Sequence, residues 1–305
     1  MAIVTLAADG LEARLSTRGG TFIRLVWGDD RDRTALLRES GDDAAAGEAA
    51  AFPLIPFGNR LRDNRFVHAG TEHRLPPNTL SDVHYLHGDA WLGEWAVEQA
   101  DTSSACLSFR HVGRPYAYRA LQSVTIRDGT LEIELLVENE GDDPLPFGLG
   151  WHPFFPRASS TTMSTSAARF WSEADGHLPG EPGPVPADLH FAAPRPLPDR
   201  WVNNGLEGWS GSARITWPER QTALRLDADP CFRHAFLFVP DASFDPDRAS
   251  DWFCLEPMTH LAGAHAMPDL GGLTVLGTGE RLRGALRLRP ERLPPYSPTS
   301  QGPAS

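Results

Sequence analysis

Residues Ser123–Val137 read SVTIRDGTLEIELLV. Ser123–Ile126 and Leu131–Val137 alternate apolar and polar residues with period two, the pattern of strands with one buried face. Asp128-Gly129 between them is a strong signal for a two-residue hairpin turn. The same grammar extends outward in both directions. Ala105–Val112 precedes this hairpin, and near the N-terminus Ile3–Leu6 and Leu11–Leu15 flank Asp9-Gly10, with Thr21–Trp27 following. Downstream, Ala213–Trp217, Ala223–Leu226, Ala235–Val239, Trp252–Leu255 and Leu282–Leu288 continue it. Twenty-eight glycines and 27 prolines cut the 305 residues into segments too short for a helical core. The expected class is therefore all-β with few short helices: two antiparallel sheets packed face to face, or a distorted barrel.

Three segments interrupt the strand pattern. Asp42–Ala51 is Ala-rich and is the only stretch with helical propensity, too short to organise a fold. Ala174–Arg200 is rich in proline and nearly aperiodic, and reads as a long surface loop. The tail 293–305, LPPYSPTSQGPAS, has little apolar content and is expected to be disordered, leaving residues 1–292 as a single domain.

All 28 basic residues are arginine. Without lysine, Schiff-base and pyridoxal-phosphate chemistry, a Walker-type P-loop and a Ser–Lys hydrolase are excluded. A net charge of −12 argues against nucleic acid or an anionic membrane as partner. No apolar run is long enough to span a bilayer, and the N-terminus lacks a basic region before Asp9, so a cytoplasmic location is expected. Cys106, Cys231 and Cys254 are odd in number and widely spaced, reading as core thiols rather than a disulfide or zinc framework. The composition leaves the oligomeric state open.

Titratable and aromatic residues concentrate in three places: Phe52–Trp95, Phe147–Pro156 (FGLGWHPFFP) and Trp252–His260 (WFCLEPMTH). Aromatic and proline surroundings form rigid concave surfaces and desolvate ionisable groups, shifting their pKa values. His152, between Trp151 and Pro153, is a candidate proton donor; a buried structural histidine is the competing reading. Glu256 ends an apolar run, where a carboxylate is costly unless it is paired or used as a base. His87, before Gly88, and Arg60, a fixed planar donor, suit sugar oxygens, although either residue type is common in loops. Trp91, Trp95 and Trp151 are candidates to stack on a sugar face, or are simply core. His84 and His87 are three residues apart, which on a strand points them to opposite faces, so no metal is expected.

Together these segments resemble the aldose 1-epimerase (galactose mutarotase-like) family. The resemblance rests on Asn59-Arg60 in FGNRLRDNRF, the hairpin HAGTEHRLPPN, Leu86-His87-Gly88 with a tryptophan downstream, the Gly-Trp-His-Pro-Phe-Phe block and the Leu-Glu-Pro block. It covers about residues 1–290. It implies a galactose-mutarotase-like β-sandwich (a supersandwich) with a sugar bound in an open cleft on one sheet. It also implies Glu256 as general base and His152 as general acid, and Arg60 and His87 as sugar-orienting residues; Asn59 and Trp151 are further substrate-binding candidates from the residues themselves. Many members carry an aspartate that binds a sugar hydroxyl in a segment ending Gly-Trp-x-Gly; here VNNGLEGWSG places Asn203 there. The implied activity is interconversion of α and β anomers of a cyclic aldose by acid–base ring opening, with no cofactor. A sugar-binding or regulatory module without turnover, and an epimerase for a phosphorylated or sulfonated sugar, are the alternatives. The sequence does not identify the sugar.

Overall fold

The computed structural model describes residues 1–29, 32–244, 246 and 251–294. Among these, two large antiparallel sheets carry the fold, with 3₁₀ turns as the helical elements. Every strand expected from period-two alternation is present, most of them a few residues longer than the pattern. Thr130–Asn139 pairs with Ala117–Arg127 through Ile126↔Leu131, and the burial of both strands alternates residue by residue. Asp128 and Gly129 have φ of 53° and 67°, and Asp9 and Gly10 have 52° and 77°. Both turns thus have the two left-handed residues that a type I′ hairpin requires.

One sheet runs Ala96–Ala100, Ser104–Val112, Ala117–Arg127, Thr130–Asn139, Arg281–Arg292, Thr222–Ala228, Ser212–Trp217, Thr162–Thr165 and Arg195–Pro196. The other begins Ile3–Ala8, Leu11–Ser16, Thr21–Trp27 and Ala51–Leu54. It continues through Gly150–Pro153, Trp252–Met258, His234–Val239, Val202–Glu207 and Arg169–Ala174 to Leu178–Gly183. A continuous core lies between the sheets, from Leu6 to Leu288. The central strands of the second sheet are buried on both faces: Trp252–Met258 and Gly150–Pro153 contain no exposed residue. Along Trp252–Met258, Phe253 and Leu255 enter the main core. Trp252, Cys254 and Met258 join a second apolar cluster with Phe52, Leu54, Phe154, Phe236 and Phe238 on the opposite face. That second cluster floors the cleft described below.

Two expectations are corrected. Ala174–Arg200 is not a structureless loop: Leu178–Gly183 pairs with Arg169–Ala174, and Arg195–Pro196 pairs with Thr162–Thr165. Both are edge strands, where a proline removes no ladder hydrogen bond, so proline-rich sequence is compatible with pairing. Asp42–Ala51 forms no α-helix; a single 3₁₀ turn spans Ala46–Glu48, and Ala51 already starts a strand. Cys254 is buried, whereas the free thiols of Cys106 and Cys231 are half-buried. The expected tail from residue 295 onward lies outside the described residues. No helix among the described residues is long and apolar enough to cross a membrane.

Candidate active site

A cleft of about 720 Å³ opens on the second cluster's face of the large sheet. Glu256 and His152, from adjacent strands, lie in its wall, with Nε2 of His152 3.3 Å from Oε1 of Glu256. Strand alternation puts both there: Leu255 and Trp151, one residue earlier, point into the core instead. Glu256 is 2% exposed and His152 8%. Among the described residues, no hydrogen-bond partner reaches Oε2 of Glu256 or Nδ1 of His152.

Burial sets the protonation of the pair. It pushes the Glu256 carboxyl well above the usual carboxylate range, with the Arg60 charge opposing. It pulls His152 down to about 3, with the Arg38 charge acting in the same direction. Both shifts disfavour charge, so the pair's one labile proton sits on the glutamate side. Phe52 stacks on the His152 ring at 4.5 Å and Phe154 at 4.8 Å, fixing the plane of the imidazole.

The Asn59-Arg60 and Leu86-His87-Gly88 segments are locked to each other. Asn59 N–H donates to Nδ1 of His87 (3.0 Å), and His87 N–H donates back to Asn59 C=O (3.0 Å). Asn59 (φ 62°), His87 (φ 60°) and Gly88 (φ 71°) are all left-handed, the geometry that permits this reciprocal clasp. With Nδ1 accepting, the proton of the neutral ring lies on Nε2. Burial and the charges of His152 and Arg60 keep His87 well below its ordinary pKa, so it stays neutral. Arg60 Nε donates to Asp82 (2.7 Å), which fixes the guanidinium at the cleft edge. Beneath the clasp, Gly58 N–H donates to Nε2 of His260 (3.0 Å), whose Nδ1 is 2.8 Å from Leu261 C=O.

Asn203 also lines the cleft, on the strand Val202–Glu207. Its Nδ2 donates to Oε1 of Glu173 at 2.6 Å. The structure therefore brings Glu256, His152, Arg60, His87, Asn59 and Asn203 to one cleft, together with Trp91. It does not bring Trp151 or Trp95 there. Trp151 is fully buried against Phe22 in the main core, and Trp95 donates from its ring to Ala90 C=O inside the protein. A residue adjacent to His152 on a strand must face the other way, which rules out Trp151 as a stacking platform once the strand is known. The sequence reading missed Arg38, whose guanidinium lies 3.7 Å from the centre of the Phe154 ring and donates to Gly47 and Ala49 carbonyls. It also missed Trp201 and His177 at the opposite end. The signal for Arg38 was a charge directly after the apolar pair Leu36-Leu37.

Comparison with known proteins identifies the family. The family model for aldose 1-epimerase matches residues 2–289. The chain belongs to the aldose 1-epimerase family. The uncharacterized Escherichia coli K12 protein YphB is 42% identical over 294 residues, covering 96% of this chain and all of YphB. A crystal structure of an Escherichia coli K12 protein described as a candidate aldose 1-epimerase superposes with a TM-score of 0.92 at 41% identity, covering 96% of this chain and 99% of that one. A galactose mutarotase-like protein from Clostridium acetobutylicum shares the fold, with a TM-score of 0.82 at 17% identity and 95% coverage of both chains. The family's fold and the cleft that holds Glu256 and His152 occur together in this chain.

Proposed function

We propose that the protein is a cofactor-independent mutarotase, interconverting the anomers of a cyclic aldose, with Glu256 and His152 as its acid–base pair. The observation that carries this reading is the buried pair itself, 3.3 Å apart in the wall of a sugar-sized cleft. Ring opening takes the anomeric hydroxyl proton onto the Glu256 carboxylate while imidazolium at His152 delivers a proton to the ring oxygen. The C1–O5 bond breaks and C1 becomes a carbonyl. After rotation about C1–C2, closure reverses both transfers: Glu256 returns its proton to the carbonyl oxygen and His152 takes the one from O5–H. Each positioned acid or base contributes about 10²–10⁴-fold.

The proton count explains why one pair serves both directions. Carboxylate at Glu256 with imidazolium at His152 is the form that opens a ring. Carboxylic acid at Glu256 with neutral imidazole at His152 is the form left beside the open chain. The two forms hold the same number of protons, so no exchange with solvent is needed within a cycle. Desolvation favours the neutral form, which is the one that closes the aldehyde again. His87, with its proton on Nε2, offers a donor to a sugar oxygen, and Arg60 offers fixed donors to neighbouring hydroxyls.

Saturation-transfer NMR on a panel of aldoses reads anomer exchange directly. Exchange faster than the uncatalysed rate is expected for the wild type, with a loss of about 10²–10⁴-fold in Glu256→Gln. Wild-type exchange in Glu256→Gln would overturn the assignment of the base. Saturable sugar binding with no exchange in the wild type would overturn the enzymatic reading altogether.

A further inference from the structure

The end of the cleft at Asn203 is organised by a residue that does not itself line it. Glu173 lies on the strand Arg169–Ala174, hydrogen-bonded to the Asn203 strand, and its carboxylate collects three donors. Oε1 accepts from Nδ2 of Asn203 (2.6 Å) and from Nδ1 of His177 (2.6 Å). Oε2 accepts from Nε1 of Trp201 (2.6 Å). The three donor side chains form one wall of the cleft.

The orientation of the Asn203 amide follows from this arrangement. Amide nitrogen and oxygen look alike in shape, but a carboxylate accepts and never donates when ionised, so the lobe facing Glu173 is the nitrogen. Burial raises the Glu173 pKa, but the donors from Asn203, His177 and Trp201 outweigh it, and the net shift is downward. Asn203 is 8% exposed, and among the described residues no donor reaches its Oδ1. Arg60, a nearby guanidinium whose Nη1 reaches His177 C=O, is already paired with Asp82.

We propose that Glu173 is a positioning residue that turns the Asn203 amide oxygen toward the ligand and so selects a neutral aldose, whose hydroxyl donates to it, over one carrying an anionic group there. An anion at this end would meet an acceptor with a carboxylate directly behind it, and the like-charge repulsion disfavours it. This inference rests on the mutarotase reading of the same cleft.

The test uses D-galactose and D-glucose with their uronates, which place a carboxylate at C6. Anomer exchange gives KM and kcat for the wild type, Glu173→Gln, Asn203→Asp and the double variant. A glutamine oxygen at the Oε1 position keeps Asn203 and His177 and strands only Trp201, so Glu173→Leu, which removes every acceptor, is measured alongside. Glu173→Leu is expected to raise KM for the neutral sugars about tenfold, with kcat within about twofold, and to lower the preference for neutral sugar over uronate about tenfold, the effect of one lost hydrogen bond to a charged group. Asn203→Asp alone sets two carboxylates against each other and is expected to weaken binding as much. In the double variant the introduced glutamine can donate to the introduced aspartate, and KM for the neutral sugars is expected to recover to within about threefold.

An unchanged KM and an unchanged preference in folded Glu173→Leu would overturn the proposal, as would a fall in kcat alone or a double variant no better than either single one. If the wild type binds sugars without exchanging anomers, the mutarotase reading fails. The same preference is then read from Kd by saturation transfer, and its loss in Glu173→Leu still supports the positioning role. No binding of any of the four sugars would overturn both.

Discussion

Lowering the pH from 7 to 5 is expected to destabilise the protein partly through His260, by an amount that can be worked out. His260 is 1% exposed and holds the Asn59–His87 clasp in place by accepting from Gly58 N–H. Burial, opposed by the Leu261 carbonyl and reinforced by His234, lowers its pKa to about 4. An unfolded histidine titrates at about 6.5. Because the folded pKa is depressed, the stabilisation is complete above the unfolded value and is lost as pH falls toward the folded one. At pH 5 the unfolded chain has bound nearly one proton at this site and the folded chain about a tenth of one. Integrating the difference from pH 7 gives about 2 kcal/mol. A protonated Nε2 would also face Gly58 N–H donor to donor, so protonation of the folded state breaks the Gly58–His260 hydrogen bond. Urea denaturation of the wild type and His260→Gln at both pH values isolates the effect, since other titrating groups are common to the two proteins. The variant is expected to lose about 2 kcal/mol less than the wild type between pH 7 and pH 5. Equal losses in the two proteins would refute the reasoning.

Two further outcomes follow from the pair and its surroundings. Activity requires one proton on Glu256 and His152 together, so kcat/KM is expected to stay flat through the ordinary glutamate range. It should fall at the acid end only as His152 approaches about 3, and at the basic end as pH rises through the elevated Glu256 value. Arg60 lowers the Glu256 pKa, so Arg60→Gln should move the basic limb to higher pH, and a pH–rate profile showing the opposite shift would contradict this assignment. Phe52 contacts the rings of His152, His87, Trp91 and Phe154, so Phe52→Ala is expected to cost about 3–5 kcal/mol in chemical denaturation, as for other large core deletions.

The hairpins were legible because each strand has one buried face, and Asp128-Gly129 and Asp9-Gly10 supply left-handed turn residues. Glu256 and His152 were legible because charged or titratable groups stand out within apolar runs. The end of the cleft at Asn203 was not. Its organiser, Glu173, and the His177 turn adjoin an edge strand, Leu178–Gly183, whose prolines erase the alternation that marks interior strands. Trp151 shows the reverse failure, in which residue type was weighed without the strand. On the strand Gly150–Pro153, His152 facing the cleft commits Trp151 to the core. Contacts such as Glu173 with Asn203, 30 residues apart, depend on strand register, which local pattern does not supply.

Glu256 itself ought to be a burden on the fold. It sits in a strand without an exposed residue, beside Cys254 and Met258, with Oε2 unpartnered. A buried polar group left unpaired costs about 1–3 kcal/mol, and replacing both members of a buried pair by apolar side chains of similar shape relieves that cost without stranding a partner. Glu256→Met combined with His152→Phe, which strands neither partner, is therefore expected to raise the stability measured by urea denaturation by about 1–3 kcal/mol while abolishing anomer exchange. The gain should be confined to the free protein, because a bound sugar hydroxyl would satisfy the carboxyl in the wild type, whereas the thioether of the variant has no counterpart to that bond. Adding saturating sugar should then stabilise the wild type but not the variant. If the double variant is instead less stable than the wild type without sugar, the pair is already satisfied inside the folded protein. The reading of the pair as a cost carried for its chemistry would then fall with it.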